Sequence, residues 1–241
     1  MTEKILDPSE EQLMEFDNEN DEIEEEGEDI IGELGAAGQN DELWEKLRND
    51  KKKSPGMFVS AWEEDEEGIT QKDMQDPKEQ FLTAAEDGNL EQLKQMIEKY
   101  PNFLHVRDRD DYTPMHRAAY NNHVDVCQYL LKIGANPEAK TEDGWTVLHC
   151  ASCWANYEIV GVLLSHGVDV NARSNGSLTP LHLAINSSED QRKQLTTVKY
   201  LLEAPGVDMG AVTNAGDTPL MLAKRHSKEI YELVLFYINR P

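Results

Sequence analysis

With 241 residues and a formal net charge of −24, the chain has room for one or two domains. That charge argues against direct binding to nucleic acid, where affinity comes largely from basic side chains on phosphates. No apolar run approaches the length of a membrane span, the N-terminus lacks the apolar core of a secretion signal, and three cysteines do not make a disulfide framework, so an intracellular protein without membrane contact is expected.

The acidity is confined to the first third. Residues 1–77 hold 26 Asp and Glu against 7 Lys and Arg, a net of −19, whereas residues 78–241 carry −5. High charge with few apolar residues cannot offset the entropy of ordering a chain, so residues 1–76 are expected to form a mostly disordered acidic tail with transient helices. Within it, Ser9-Glu10-Glu11-Gln12 is a capping-box pattern ahead of Leu13, Met14 and Phe16. Residues Asp41 to Asn49 place Leu43, Trp44 and Leu47 on one helical side. Lys51-Lys52-Lys53 precedes Ser54-Pro55, a weak import patch beside a proline-directed phosphosite, or simply a break in the charge. The sharpest feature is Met57-Phe58-Val59-Ser60-Ala61-Trp62, followed by Glu63-Glu64-Asp65-Glu66-Glu67. Such an apolar island in an acidic tail reads as a docking peptide, for another protein or for this chain's own downstream domain. The plainer reading of the whole tail is a solvated bristle.

From residue 77 onward the chain repeats itself. Asp110-Asp111-Tyr112-Thr113-Pro114-Met115-His116 returns 33 residues later as Asp143-Gly144-Trp145-Thr146-Val147-Leu148-His149 and again as Gly176-Ser177-Leu178-Thr179-Pro180-Leu181-His182. After a longer gap it reads Ala215-Gly216-Asp217-Thr218-Pro219-Leu220-Met221. Asp-Gly supplies the backbone of a tight hairpin turn. Thr113, Thr146, Thr179 and Thr218 suit N-caps, and Pro114, Pro180 and Pro219 suit first helical positions. A second helix in each unit carries apolar residues at spacings of three, three and one: Val124, Cys127, Leu130 and Leu131; Tyr157, Val160, Leu163 and Leu164; Leu195, Val198, Leu201 and Leu202. Gly134, Gly167 and Gly206 follow, where helices end in a left-handed residue.

A unit of hairpin, helix, turn and helix cannot bury its apolar stripe alone and must stack on its neighbours. The expected units are 77–109 as an N-terminal cap, 110–142, 143–175, 176–214 with an insertion at Asn186 to Gln194, and 215–241 as a C-terminal cap. A 33-residue period bearing Thr-Pro-Leu-His resembles the ankyrin repeat family. The fold class implied for residues 77–241 is an all-α repeat solenoid, a helix-turn-helix stack with short β-hairpins, preceded by the disordered tail.

The resemblance also implies where a partner would lie: across the hairpin tips and first helices, on the concave side. Carried onto this sequence, those positions are Tyr112, Tyr120, Asn121, Asp143, Trp145, Cys153, Trp154 and Leu178. Trp and Tyr dominate interface hot spots, which favours a protein partner, although Trp145 or Trp154 could instead fold back on an adjacent tip. The segments Tyr112 to Tyr120 and Asp143 to Thr146, with the acidic run after Trp62, are similar to a nuclear, non-enzymatic regulatory branch of the family, which implies a role in gene regulation; the chain is expected to be a monomer, in the nucleus or the cytoplasm. The alternative is that the acidic tail is the effector and the repeats deliver it.

Catalytic chemistry finds no foothold. His149-Cys150-Ala151-Ser152-Cys153 contains a Cys-x-x-Cys beside a histidine, but zinc needs four convergent ligands and only one such pair exists. His149 occupies the same place in its unit as His116 and His182, where the ring is expected to bond the threonine hydroxyl or nearby backbone. No catalytic, cofactor-binding or metal-binding residue is assigned.

Overall fold

The computed structural model describes residues 72–240, so the tail features just named, from Ser9 to Glu67, lie outside the described residues. Among the described residues the helices come in pairs: α1 (Pro77–Glu86) with α2 (Leu90–Lys99), α3 (Pro114–Tyr120) with α4 (Val124–Lys132), α5 (Val147–Cys153) with α6 (Tyr157–His166), α7 (Pro180–Ile185) with α8 (Gln191–Glu203), and α9 (Pro219–His226) with α10 (Lys228–Ile238). A 3-10 turn over Pro101–His105 follows the first pair. First helices pack on first helices along the stack, and α4, α6, α8 and α10 form a second layer behind them. The core between the layers runs unbroken from Phe81 and Leu93 through Leu130, Leu163 and Leu201 to Ile230 and Val234. Among the described residues no helix is long and apolar enough to cross a membrane.

Helix starts follow from the repeated motif. Thr113, Thr146, Thr179 and Thr218 are the N-caps of α3, α5, α7 and α9, in extended conformation, with proline at the first turn in three of them. At Thr113, Thr146 and Thr179 the cap is reciprocal. The hydroxyl of Thr113 accepts the His116 N–H, and the Thr113 N–H donates to His116 Nδ1 at 3.2 Å, which satisfies two orphan donors at once. Glycine stops two of the second helices: Gly134 follows the C-cap of α4 at φ 91, and Gly167 caps α6 at φ 84 with open space around a would-be Cβ, so backbone conformation alone selects glycine there.

The tips differ from the short β-hairpins expected. Each keeps a turn-closing bond, from the Asp108 N–H to the Tyr112 carbonyl, Thr141 to Trp145, Ser174 to Leu178 and Thr213 to Asp217. Between units the backbone-to-backbone bonds at the tips run one per junction: Glu142 N–H to Asp110 O, Asn175 N–H to Asp143 O and Asn214 N–H to Gly176 O. A single bond per junction makes no ladder, and no strand occurs among the described residues. The tips still pack closely, since a Cβ on Gly144 would lie 2.8 Å from Asn175 Oδ1.

The insertion at Asn186 to Gln194 lengthens helix more than loop. α8 runs 13 residues against 10 for α6, and its first turn, capped by Asp190, takes up Gln191 to Gln194. Buried Gln194 donates to the carbonyls of Ile185 and Ser187 at 2.8 and 2.7 Å. It closes the end of α7 as Asn156 closes α3, by donating to Ala119 O at 2.7 Å.

A buried ion cluster joins the first two pairs. Arg117 of α3 reaches Glu79 at 2.8 Å, Asp108 at 2.9 Å and Glu86 at 3.3 Å, while Lys72 lies 2.7 Å from Glu86. The Glu86 side chain is fully buried. Burial raises the Asp108 carboxyl above its ordinary range, with Arg117 pulling it back. Removing one member of such a cluster strands the others in low dielectric, typically at about 3–5 kcal/mol. Arg117→Met is therefore expected to destabilise the stack from its N-terminal end. Hydrogen exchange should accelerate in α1 and α2 well before α8 and α10, because each unit leans only on its neighbours; uniform acceleration would contradict this account.

Candidate protein-interaction face

The repeat places equivalent residues in register along one side of the stack. Tyr112, Trp145 and Leu178 are the last tip residues before successive N-caps, and Tyr120, Cys153 and Asn186 end or follow successive first helices. From this register the structure builds a second apolar cluster, separate from the main core. Cys153, Trp154 and Leu183 are its buried members, and Tyr120, Trp145 and Leu178 pack on them half-buried. The Tyr120 and Trp154 rings meet edge to face, with centroids 4.9 Å apart and planes at 70°, a favoured aromatic geometry. Trp145 stacks over the His149 ring at 6.5 Å, and Tyr112 meets His116 edge-on at 5.6 Å.

Five of the eight expected residues thus gather in one cluster. Tyr112 stands apart with its own histidine, Asn121 donates to Glu86 O at 2.9 Å, and the Asp143 backbone carbonyl holds the next tip. Exposure is not shared evenly. Trp154 is 6% exposed and Cys153 5%, so both act from beneath, whereas Tyr120, Asp143, Trp145 and Leu178 keep part of their surface in solvent. Leu183 escaped the sequence reading. No sequence signal singled it out, since the equivalent position after the histidine is Arg117 in the ion cluster of the first pairs and Leu222 in the main core.

The histidines fix the face in place. Because the Thr113 and Thr146 N–H groups donate to Nδ1 of His116 and His149, these rings are neutral with the proton on Nε2. Those Nε2–H groups donate across the unit boundary, His116 to the Trp145 carbonyl at 3.1 Å and His149 to the Leu178 carbonyl at 3.0 Å. Each ring therefore ties the tip residue of the next unit to the first helix of its own. The rung weakens at His182, where the Asp217 carbonyl faces the ring in the equivalent place but buried Nε2 makes no well-formed hydrogen bond to it. Burial lowers His116 to about 3 and His149 to about 4. Both ring nitrogens of His149 are committed to the cap and the rung, and burial pushes the Cys150 thiol well up. This leaves His149-Cys150-Ala151-Ser152-Cys153 as packing.

A family model for "Ankyrin repeats (3 copies)" matches residues 81–174 and 138–213, more than half of the chain. The chain belongs to the ankyrin repeat family. Among curated proteins it is similar to Ankyrin repeat domain-containing protein 49 of Drosophila melanogaster, 40% identical over 96 residues, covering 39% of this chain and 44% of that one. The Homo sapiens protein of the same name is 36% identical over 95 residues, 35% of this chain and 40% of that one. Protein phosphatase 1 regulatory subunit 27 of Mus musculus is 38% identical over 61 residues, 25% of this chain and 39% of that one. The matched stretch thus spans less than half the length of each of these relatives. As the family implies, this is a protein-binding repeat.

The neutral histidines give the ankyrin stack a pH dependence of definite sign. Their folded values lie below the ordinary 6.5, so unfolding takes up protons. Their contribution to stability is full above about pH 6.5 and falls on acidification, at up to about 1.4 kcal/mol per pH unit for each ring. Urea midpoints measured between about pH 7 and pH 5 should fall accordingly. His149→Gln keeps a capping side chain but cannot titrate, so it should lower stability at neutral pH while removing one proton from that slope. An unchanged slope would show that His149 is not held neutral.

Proposed function

We propose that this chain is a non-enzymatic regulatory adaptor that binds a protein partner on the concave face of its ankyrin repeats, with Tyr112, Tyr120, Asn121, Asp143, Trp145 and Leu178 in contact and buried Cys153 and Trp154 supporting them. The observation that carries this reading is the second apolar cluster, outside the main core on the tip and first-helix side, with half-buried Trp145, Tyr120 and Leu178 over buried Trp154. Large aromatics with part of their surface in solvent, on a rigid base, are the usual anchors of an interface. The carboxylates of Asp143, Glu142 and Asp110 beside them favour a partner segment that is basic or apolar. A role in gene regulation in the nucleus rests on the family resemblance. The regulatory phosphatase subunit among the similar proteins is consistent with an adaptor of some kind.

Affinity capture from cells tests the face. Trp145→Ala combined with Asp143→Lys alters half-buried positions and leaves buried Trp154 in place, so the variant should stay folded with an unfolding midpoint lowered by the lost Trp145 packing. Partners of the face should weaken by about thirty-fold or more, the effect of losing a hot spot of about 2 kcal/mol. Retention of every partner by a stably folded variant would remove the face from the function.

A second reading is favoured by the net charge of −19 within residues 1–77. In it the acidic tail is the effector, an activation segment or a chaperone for basic proteins, and the repeats deliver it. Removal of residues 1–71 would then abolish partner capture while Trp145→Ala/Asp143→Lys left it intact, the reverse of the pattern expected for the face.

A further inference from the structure

The chain carries a candidate ligand for this face within its own sequence. We propose that the segment Met57-Phe58-Val59-Ser60-Ala61-Trp62 docks in cis on the Tyr120, Trp145, Trp154 and Leu178 cluster and competes there with the partner; the competition, though not the docking, rests on the function proposed above.

Three observations converge on this occupant. The first is where the described chain begins. Lys72 is anchored by its 2.7 Å ion pair to Glu86 at the end of α1. The Glu86 carbonyl accepts from Asn121 Nδ2 at 2.9 Å, and Asn121 directly follows Tyr120, whose ring meets Trp154. The tail therefore enters the fold beside the cluster, on the first-helix side. Residues 63–71 separate Trp62 from this anchor, and nine residues can span up to about 30 Å, enough to reach any unit of the cluster.

The second observation is composition. Five of the six residues from Met57 to Trp62 are apolar, in a tail where acidic residues predominate. Phe58 and Trp62 stand four apart, the spacing that presents two side chains to one groove. Buried Trp154 and Leu183 form an apolar floor and Tyr120, Trp145 and Leu178 a half-buried rim, a surface suited to aromatic anchors.

The third observation is the order of charges. The tips beside the cluster are acidic, with Glu142 and Asp143 in one and Asp108, Asp110 and Asp111 against Arg107 and Arg109 in the one before it. Lys51-Lys52-Lys53, just ahead of Met57, complements them, whereas Glu63 to Glu67 is joined by sequence to Lys72 on the far side of the apolar segment. Attraction at the basic end favours docking of the segment on this face. A tethered segment also acts at the high effective concentration of a short linker, so modest intrinsic affinity suffices to occlude the face.

The test uses the full chain. The three native cysteines are buried, so Ser60→Cys can be labelled selectively with a nitroxide. Docking predicts loss of more than half the NMR intensity of the Trp145 indole N–H and the Leu178 methyls in the labelled chain, with α10 resonances unaffected. The loss should be independent of concentration and abolished by adding Phe58→Ala/Trp62→Ala. Unattenuated Trp145 and Leu178 signals overturn the proposal. So does attenuation that disappears on mixing with excess unlabelled chain, which would assign the segment to a second copy. In parallel, Phe58→Ala/Trp62→Ala should raise partner capture several-fold. Attenuation without any dependence of capture on Trp145 supports docking and overturns competition, whereas Trp145-dependent capture without attenuation keeps the partner site and overturns docking.

Discussion

Neutral histidine at the third position of a first helix is the interaction on which the middle of this stack depends. One nitrogen of the ring accepts from the N-cap amide of its own helix, and the other donates to the tip carbonyl of the following unit, as at His116 with Trp145 and His149 with Leu178. A single buried side chain thus satisfies a helix terminus and a neighbouring turn, two groups that would otherwise be stranded away from water. The arrangement needs the ring uncharged, since a proton on Nδ1 would face the amide N–H. Burial holds it so. The same rungs set the backbone positions of Trp145 and Leu178, so the scaffold and the candidate face share their supports.

The ends of the stack are handled by other means. At the N-terminal end, where no preceding unit supplies a rung, Arg117 gathers Glu79, Glu86 and Asp108 from the first pair and the loop beyond it. Toward the C-terminal end Met221 takes the histidine position, His182 makes no well-formed bond to the Asp217 carbonyl that faces it, and Phe236 of the last helix is 61% exposed. Nearest-neighbour stabilisation is accordingly strongest in the middle units, which are the ones that carry the aromatic cluster.

That cluster joins packing to recognition. Trp154 and Cys153 are held beneath Tyr120, Trp145 and Leu178, so the solvent-facing rings rest on a rigid base and lose little freedom on binding. A side chain that supports the face from below and one that meets a partner are different things, and burial separates them here.

Most of the fold was legible in the residues because each unit is built from short-range rules. Threonine caps, prolines at first turns, apolar spacing in the second helices and glycine stops depend only on neighbours in sequence, and the helices stand where those residues put them. The expected strands at the tips were not found, because a ladder requires consecutive backbone pairs between units and the tips supply one such bond per junction. The candidate site was legible as a set of equivalent positions, Tyr112, Trp145 and Leu178 among them, because a period of 33 maps sequence onto a surface. Which of them gather, that Leu183 joins and that Trp154 sinks while Trp145 stays partly in solvent was decided by contacts between units. Sequence by itself determined the unit and its repetition. Only the tertiary structure decided burial, the histidine rungs and the Arg117 cluster, since these depend on groups about thirty residues apart being brought within hydrogen-bonding distance.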